Sequence, residues 1–242
     1  MAIKIGLDAG HGGKGYTGTY TIDTKEDGLY EKDLTLEVVL LMDKALKRNG
    51  FDTYLTRTGD YHPGDSSQRA IACAKAGCSF GLSVHFNGFE TQSANGCEVF
   101  VPYAEKYANI EVGFREVLTK YFKERKPFAR ASNATNKNDI FDKKMNPETK
   151  KFEAVCTDKR DYFGFVRSGW QFGMSADLIE ICFLTNRKDY DTFTEHKKEI
   201  AEGLARAIVE GFGKKFVPEE QKKKKKPDIN TVRRRKELLT KL

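Results

Sequence analysis

Short apolar runs alternate along this chain with longer segments whose apolar residues recur at helical spacing. The runs that predict strands are Ile3–Leu7, Phe51–Thr56, Phe80–Val84, Cys97–Val101, Phe163–Arg167 and Leu178–Cys182. The segments that predict helices are 34–46, 66–77, 105–125 and 196–213. Strands that alternate with helices are typical of α/β folds, so we expect an α/β domain built on a mainly parallel sheet.

Size and composition limit the classes of protein to which the chain can belong. Its 242 residues fit one α/β domain, and 39% hydrophobic residues suffice for a core. No apolar run approaches the roughly 18 residues of a membrane span, so we expect no transmembrane segment. The first residues lack the apolar stretch of a signal peptide, and we expect cytoplasmic synthesis without one. The five cysteines form no CxxC pair and are predicted to be reduced.

Most of the net positive charge lies at the C-terminal end. Residues 217–242 carry +6 of the formal net charge of +7, which divides the chain into a domain at 1–216 and a basic tail at 217–242. Such a tail is attracted to anionic polymers or a membrane surface, forms an interface helix, or is simply a solvated end. Because no aromatic residues are interleaved with its charges, we expect no specific nucleic-acid partner.

Two of the four histidines follow predicted strands. His11 comes after the first strand, and His85 comes directly after the run that ends at Val84. Because functional sites gather at the carboxyl ends of parallel strands, these two side chains are predicted to share a crevice and a metal ion. His62 and His196 lie in polar surroundings and are interpreted as surface residues.

A third ligand is needed to complete a catalytic zinc site, which takes three protein ligands and leaves a position for water. Glu31, at the start of the first long helix, is the best candidate, and Asp33 is the competing carboxylate. An acidic residue is also favoured at a helix N-terminus by the helix dipole, so the position alone does not decide its role.

Glu180 interrupts an otherwise apolar run, Leu178–Cys182. A buried carboxylate is costly unless it is paired or used, and burial raises its pKa towards that of a general base or acid. The alternatives are a strand end that faces water or an ion pair with an arginine such as Arg167. Together with a metal site, Glu180 predicts a metal-assisted hydrolase.

The order of these segments resembles the zinc-dependent N-acetylmuramoyl-L-alanine amidases of bacterial cell walls and phages. The matching segments are Gly6–Gly13, Glu31–Leu34, Leu55–Arg57 with Asp60, Arg69, Ser83–Asn87 and Leu178–Asn186. The resemblance implies a single α/β domain with a twisted, mostly parallel sheet flanked by helices on both faces. It also implies hydrolysis of the amide between N-acetylmuramic acid and the L-alanine of the peptidoglycan stem peptide.

By the same resemblance, one Zn²⁺ is held by His11, Glu31 and His85, and Glu180 is the catalytic glutamate. The resemblance makes peptidoglycan the substrate, with anionic wall polymers as partners of the tail. An enzyme without a signal peptide then fits a phage endolysin, or another lytic enzyme that reaches the wall after release.

Three further residues are assigned tentative roles near this site. Asp8 and Asn87 are expected to orient the metal ligands, and Arg167 to bind a stem-peptide or lactyl oxygen. The sequence departs from the family at Gly173–Ala176, where a small residue and a proline are usual, and in the long polar segment 127–160. A zinc peptidase acting on another bond and a non-catalytic module that binds cell wall or nucleic acid remain the alternatives.

Overall fold

The computed structural model describes residues 2–23, 28–102, 108–125 and 161–219. Its strands are β1 (Lys4–Ala9), β2 (Asp52–Leu55), β3 (Phe80–Asn87), β4 (Glu98–Phe100) and β5 (Ser175–Phe183). Its helices are α1 (Glu31–Arg48), α2 (Ser66–Lys75), α3 (Ala108–Leu118), α4 (Gly164–Gln171) and α5 (Arg187–Gly211). The polar segment 127–160 and most of the basic tail, from residue 220 onward, lie outside the described residues.

The strands of the described region form one sheet in the order β2-β1-β3-β5-β4. All neighbouring pairs are parallel except β4 with β5, which is antiparallel. This confirms the α/β fold with a mostly parallel sheet. In the register of the sheet His85 pairs with Glu180, and Glu180 pairs with Glu98, so these three residues lie in one row on the same face.

One face of the sheet packs on α1, α3 and α5 and forms the main hydrophobic core. Side chains that alternate along the strands, such as Ile5, Leu7, Leu82 and Val84, are fully buried there. Because side chains in a strand point alternately to its two faces, each strand gives only every second residue to this core.

The other face is covered by α2 and α4 with a smaller apolar cluster. Its buried members come from both helices, the turns before β3 and β5, and β5 itself: Ala70, Cys73, Cys78, Phe165, Met174 and Ala176. Buried polar residues, including Asp8 and Ser83, share this face. Helices therefore flank the sheet on both sides, as expected, and the polar side chains gather under the thinner layer.

The prediction of a strand at Phe163–Arg167 was wrong, because this run opens α4. The backbone N–H of Arg167 donates to the carbonyl of Phe163 at 2.9 Å, which is the helical spacing. Short apolar runs do not distinguish a strand from a buried helix, and here Gly169 lets α4 lie against Ala176 of β5.

Several element ends also differ from the expected ones. β3 continues to Asn87, so His85 lies within the strand rather than after it. α5 begins at Arg187 after the N-cap Asn186, so His196 lies inside that helix. Within the described ranges no helix is long and apolar enough to cross a bilayer.

The cysteines in the described part of the chain are consistent with the prediction of reduced thiols. Cys73, Cys78, Cys97 and Cys182 are buried and unbridged. Cys156 lies outside the described residues.

Candidate metal centre

The first ligand candidate, His11, lies in a tight loop at the end of β1. The backbone N–H of Gly10 donates to the carbonyl of Val84, so the loop leaves the sheet beside β3. His11 has a φ of 62°, in the left-handed region that non-glycine residues rarely adopt. Gly10 is required because a Cβ there would lie 2.3 Å from Cε1 of His85. The glycine-rich sequence thus brings two imidazoles from adjacent strands together.

The carboxylate of Glu31, at the first residue of α1, lies between these imidazoles. Its Oε2 is 3.2 Å from Nε2 of His11, and its Oε1 is 2.9 Å from Nδ1 of His85. The backbone N–H groups of Thr19 and Phe86 donate to the two oxygens at 2.9 and 3.0 Å. The side chain is therefore fixed from four directions.

Glu31 is buried, with 3% of its surface exposed. Burial by itself raises the pKa of this carboxyl, but hydrogen bonds and charge from His11 and His85 outweigh it and hold the pKa well below its usual value. The competing candidate, Asp33, instead accepts a hydrogen bond at 2.9 Å from the backbone N–H of Tyr30 and so caps α1.

The three side chains form a donor set suited to zinc. One ligand atom from each of His11, Glu31 and His85 lies within 4.8 Å of the others. The two imidazole rings are nearly perpendicular, with centroids 5.0 Å apart, so both can direct a nitrogen towards a common point. Two histidines and a glutamate are an established ligand set for catalytic zinc, in which the fourth position takes water or substrate. The remaining histidines are not part of this donor set: His62 stacks on Tyr16 and His196 on Tyr121.

A cleft of about 260 Å³ opens beside this cluster on the α2/α4 face. Its walls come from the loop after β1, the starts of α2 and α4, and the ends of β3 and β5: His11, Ser66, Arg69, His85, Phe163, Gly164, Phe165, Leu178 and Glu180. Glu180 is half-buried and lies next to His85 across the sheet. Both imidazoles and the carboxylate of Glu180 therefore line one cleft, and the carboxylate of Glu31 lies against the two imidazoles.

A sequence profile described as N-acetylmuramoyl-L-alanine amidase matches residues 5–210, a range that includes the ligand cluster and Glu180. The chain belongs to this amidase family. AmiA of Escherichia coli strain K12, an N-acetylmuramoyl-L-alanine amidase, is 30% identical over 159 residues, which make up 63% of this chain and 47% of that protein. The chain thus spans about half the length of this curated relative.

Solved structures of family members share the fold. The catalytic domain of CwlV, an amidase from Bacillus (Paenibacillus) polymyxa var. colistinus, has a TM-score of 0.59 at 24% identity, covering 88% of this chain and 99% of that one. The amidase AmiC2 of Nostoc punctiforme has a TM-score of 0.62 at 20% identity, covering 88% and 98%. These values show that the amidase-family fold extends over nearly all of the described chain.

Asp8 contacts an arginine of the cleft in this amidase-family site. Its oxygens accept from Nε and Nη2 of Arg69 at 2.7 and 3.1 Å, and from the hydroxyls of Thr56 and Ser83 at 2.6 Å. Burial alone raises the pKa of Asp8, but the charge of Arg69 and these hydrogen bonds lower it overall. Asp8 is thus placed to orient Arg69, and the predicted action on the metal ligands would be indirect.

Asn87 and Arg167 also contact neighbours other than the ligand cluster. Nδ2 of Asn87 donates to Oε2 of Glu98 at 2.7 Å. Nη1 of Arg167 donates to the backbone carbonyls of Asp161 and Tyr162 at 2.8 and 2.9 Å, at the start of α4. Their suggested roles in ligand and substrate binding stay predictions.

Arg57, the last residue of the Leu55–Arg57 motif, contacts both the loop of His11 and the helix of Glu31. It is almost fully buried, and its guanidinium donates to backbone carbonyls of the His11 loop, of the β2–α2 loop and of α1. The acceptors are Ala9 at 3.0 Å, Gly10 at 3.1 Å, Gly59 at 3.1 Å and Lys32 at 2.5 Å. Arg57 therefore links two segments by hydrogen bonds: the loop that contains His11 and the start of the helix that contains Glu31. The run Leu-Thr-Arg after a strand was the available signal, but only the folded chain gives its partners.

Proposed function

We propose that this chain is a zinc-dependent peptidoglycan hydrolase that cleaves the amide between N-acetylmuramic acid and the L-alanine of the stem peptide. The observation that carries the proposal is the buried carboxylate of Glu31 between His11 and His85, beside Glu180, in a member of the amidase family. His11, Glu31 and His85 would hold the zinc ion, which would supply Lewis-acid chemistry to the amide carbonyl and to the attacking water.

The three ligand residues have distinct tasks in this proposal. His11 and His85 would each offer an imidazole nitrogen, and Glu31 would offer a carboxylate oxygen whose negative charge partly balances a divalent cation. The backbone N–H groups of Thr19 and Phe86 orient the carboxylate before the metal arrives. Arg57 keeps the His11 loop and α1 at a fixed separation.

Glu180 is proposed as the general base and acid. Its position beside His85 in the sheet and in the lining of the cleft supports this role. It accepts the proton of the attacking water and later donates a proton to the departing L-alanine amine. Asp8 acts on the same cleft through Arg69, and Asn87 and Glu98 support the row of side chains that contains Glu180.

Analysis of the bond that is cut tests this function. Purified peptidoglycan is incubated with the protein, and the new amino groups are identified by labelling and mass spectrometry. The proposal predicts new L-alanine amino termini and intact glycan strands. New amino termini on any other stem residue would indicate a peptidase, and no new termini would indicate a binding module.

The basic tail is proposed to hold the enzyme on anionic wall polymers, where the enzyme acts. Exposed charges are screened over about 8 Å at physiological salt, so deletion of 217–242 should weaken binding to purified walls mainly at low salt. Turnover of a small muropeptide should stay the same, because the proposed site residues all precede the tail. If the full-length and the truncated protein sediment equally with walls at every salt concentration, the basic tail does not hold the enzyme on the wall.

A further inference from the structure

Three aromatic side chains border the metal centre without taking part in it. Tyr16 lies on the loop after His11, and Tyr61 and His62 lie on the loop between β2 and α2. Tyr16 is 57% exposed and Tyr61 is 49% exposed, and His62 is exposed as well. The rings of Tyr16 and His62 stack with centroids 3.9 Å apart. We call these three residues the aromatic platform.

The two loops that carry the platform are tied to each other and to the metal centre. The N–H of Gly12, the residue after His11, donates to the carbonyl of Tyr16 at 2.9 Å. The N–H of Gly13 donates to Oδ1 of Asp60 at 2.8 Å, and Oδ2 of Asp60 pairs with Lys32 of α1 at 2.5 Å. The platform is therefore held in place beside His11, which lowers the entropy cost of binding on it.

The chemistry of these rings fits a sugar better than a peptide. A pyranose ring has apolar C–H faces and a rim of hydroxyls. Tyrosine and histidine offer flat apolar faces with a polar atom at the edge, and exposed groups of such residues mark interaction sites. An extended peptide is instead bound by a sheet edge or by apolar pockets, and the cleft lined by Phe163 and Leu178 supplies such a pocket.

The proposed substrate also requires that a sugar ring lie close to the metal centre. In N-acetylmuramic acid the carbonyl carbon of the scissile amide is separated from the sugar ring only by the lactyl carbon and the ether oxygen. When that carbonyl lies between the metal ligands and Glu180, the ring must lie at the border of the centre. The cleft beside Glu180 is one border of the centre, and the loops that follow His11 and β2 form another.

We infer that the aromatic platform of Tyr16, Tyr61 and His62 is a subsite for the N-acetylated glycan strand, and that the cleft between α2 and α4 receives the stem peptide. This inference rests on the proposed amidase function for the direction of the substrate. It predicts that sugar recognition and bond cleavage are separable, because none of the three platform residues belongs to the ligand cluster or is Glu180.

The test measures binding of a peptide-free glycan, N-acetylglucosamine tetramer, to the full chain by NMR titration. Replacing both tyrosines, Tyr16→Ala with Tyr61→Ala, should weaken binding about ten- to hundredfold, since each of the two stacking contacts accounts for roughly three- to tenfold. Tyr16→Phe with Tyr61→Phe should keep most of the affinity because the rings remain. Phe172→Ala, which removes an aromatic ring of 52% exposure at the end of α4, is the matched control and should bind like wild type.

The outcomes separate this inference from the proposed function. Equal affinity of wild type and the double alanine variant, or no binding by wild type, would overturn the platform whatever the enzyme hydrolyses. If the wild type binds the tetramer through the tyrosines but releases no L-alanine amino groups from peptidoglycan, the platform stands and the amidase function fails.

Discussion

The two faces of the sheet are made from the same strands but differ sharply in composition. On one face Ile5, Leu7, Leu82 and their neighbours are completely buried against three helices. On the other face the intervening residues include Asp8, Ser83, His85 and Glu180, and among the described residues two short helices cover them. The alternation of a strand thus lets adjacent residues serve different purposes.

Because of this difference, the apolar face contributes mainly to the stability of the fold, and the polar face carries the groups proposed for catalysis. The apolar face supplies most of the buried hydrophobic surface, which is the dominant favourable contribution to folding. The polar face places charges in a partly dehydrated setting, where each must be paired or used. Asp8 is paired with Arg69, whereas Glu31 is surrounded by the two imidazoles. Substitutions on the two faces should therefore affect stability and turnover in different proportions.

The largest expected effect on turnover alone comes from the polar face, with Glu180→Gln. This change keeps the shape of the side chain and removes its ability to accept a proton, so turnover should fall by about 10²–10⁴-fold. Bound zinc and the melting temperature should stay close to wild type. Unchanged turnover with an unchanged pH profile would exclude Glu180 from the chemistry, and loss of zinc would make it a ligand instead.

Asp8→Asn should cost the most stability on the same face. It leaves the guanidinium of Arg69 buried without its charged partner, which typically costs about 3–5 kcal/mol of the free energy of unfolding. Because the pKa of Asp8 is lowered in the folded protein, the stabilisation is present above its ordinary pKa of about 4 and is lost as pH falls through the folded-state pKa.

Denaturant unfolding of wild type and Asp8→Asn, at neutral pH and in acid, measures this contribution. The stability difference should be greatest near neutral pH and shrink in acid. Asp23→Asn, which removes the charged partner of the exposed residue Arg187, is the control and should change little. A difference that grows in acid would contradict the assigned ion pair.

Leu82→Ala tests the apolar face. Leu82 is fully buried in the main core, and its truncation should lower the free energy of unfolding by about 2–5 kcal/mol. Turnover per folded molecule should be unchanged, because the side chain points away from the cleft. Leu55→Ala, at a half-buried position of the edge strand β2, should cost less. A Leu82→Ala enzyme that is stable but inactive would contradict the claim that the apolar face contributes to stability and not to turnover.

The smallest effect is expected at the start of α2. Asp65 accepts a hydrogen bond at 2.9 Å from the N–H of Gln68 and so caps the helix that carries Ser66 and Arg69 to the cleft. Asp65→Ala should lower the free energy of unfolding by about 0.5–2 kcal/mol in thermal or denaturant unfolding. Asp65→Asn keeps an acceptor oxygen, so its free energy of unfolding should be close to that of wild type. An equal loss of stability in both variants would show that the N-cap hydrogen bond is not the cause.

Much of the fold can be predicted from local patterns, because the spacing of apolar residues along the sequence indicates which segments form strands and which form helices. The placement of His11 and His85 at strand ends was enough to predict a shared site, since parallel neighbours end at one edge. The exception, Phe163–Arg167, shows the limit of this reasoning. An apolar run of five residues is compatible with both a strand and a helix until its packing partner is known.

Contacts that depend on distant parts of the chain were not predictable in the same way. Asp8 and Arg69 are 61 positions apart, and nothing local indicates that they pair. Glu31 approaches the histidines only because the loop before it folds back, with Gly18 close enough that a Cβ there would lie 2.4 Å from its Oε2. Its position at the start of the first long helix made Glu31 the better candidate than Asp33, and the family resemblance then assigned it as a zinc ligand.

The central claim is that His11, Glu31 and His85 hold the zinc on which amide cleavage depends. The most direct measurement combines metal analysis with the release of L-alanine amino groups from peptidoglycan, for wild type and His85→Ala. We predict one zinc per wild-type chain, loss of both zinc and cleavage in His85→Ala, and loss of wild-type cleavage on chelation that added zinc restores. A wild-type protein without zinc, together with a His85→Ala variant that cleaves at the full rate, would contradict the account.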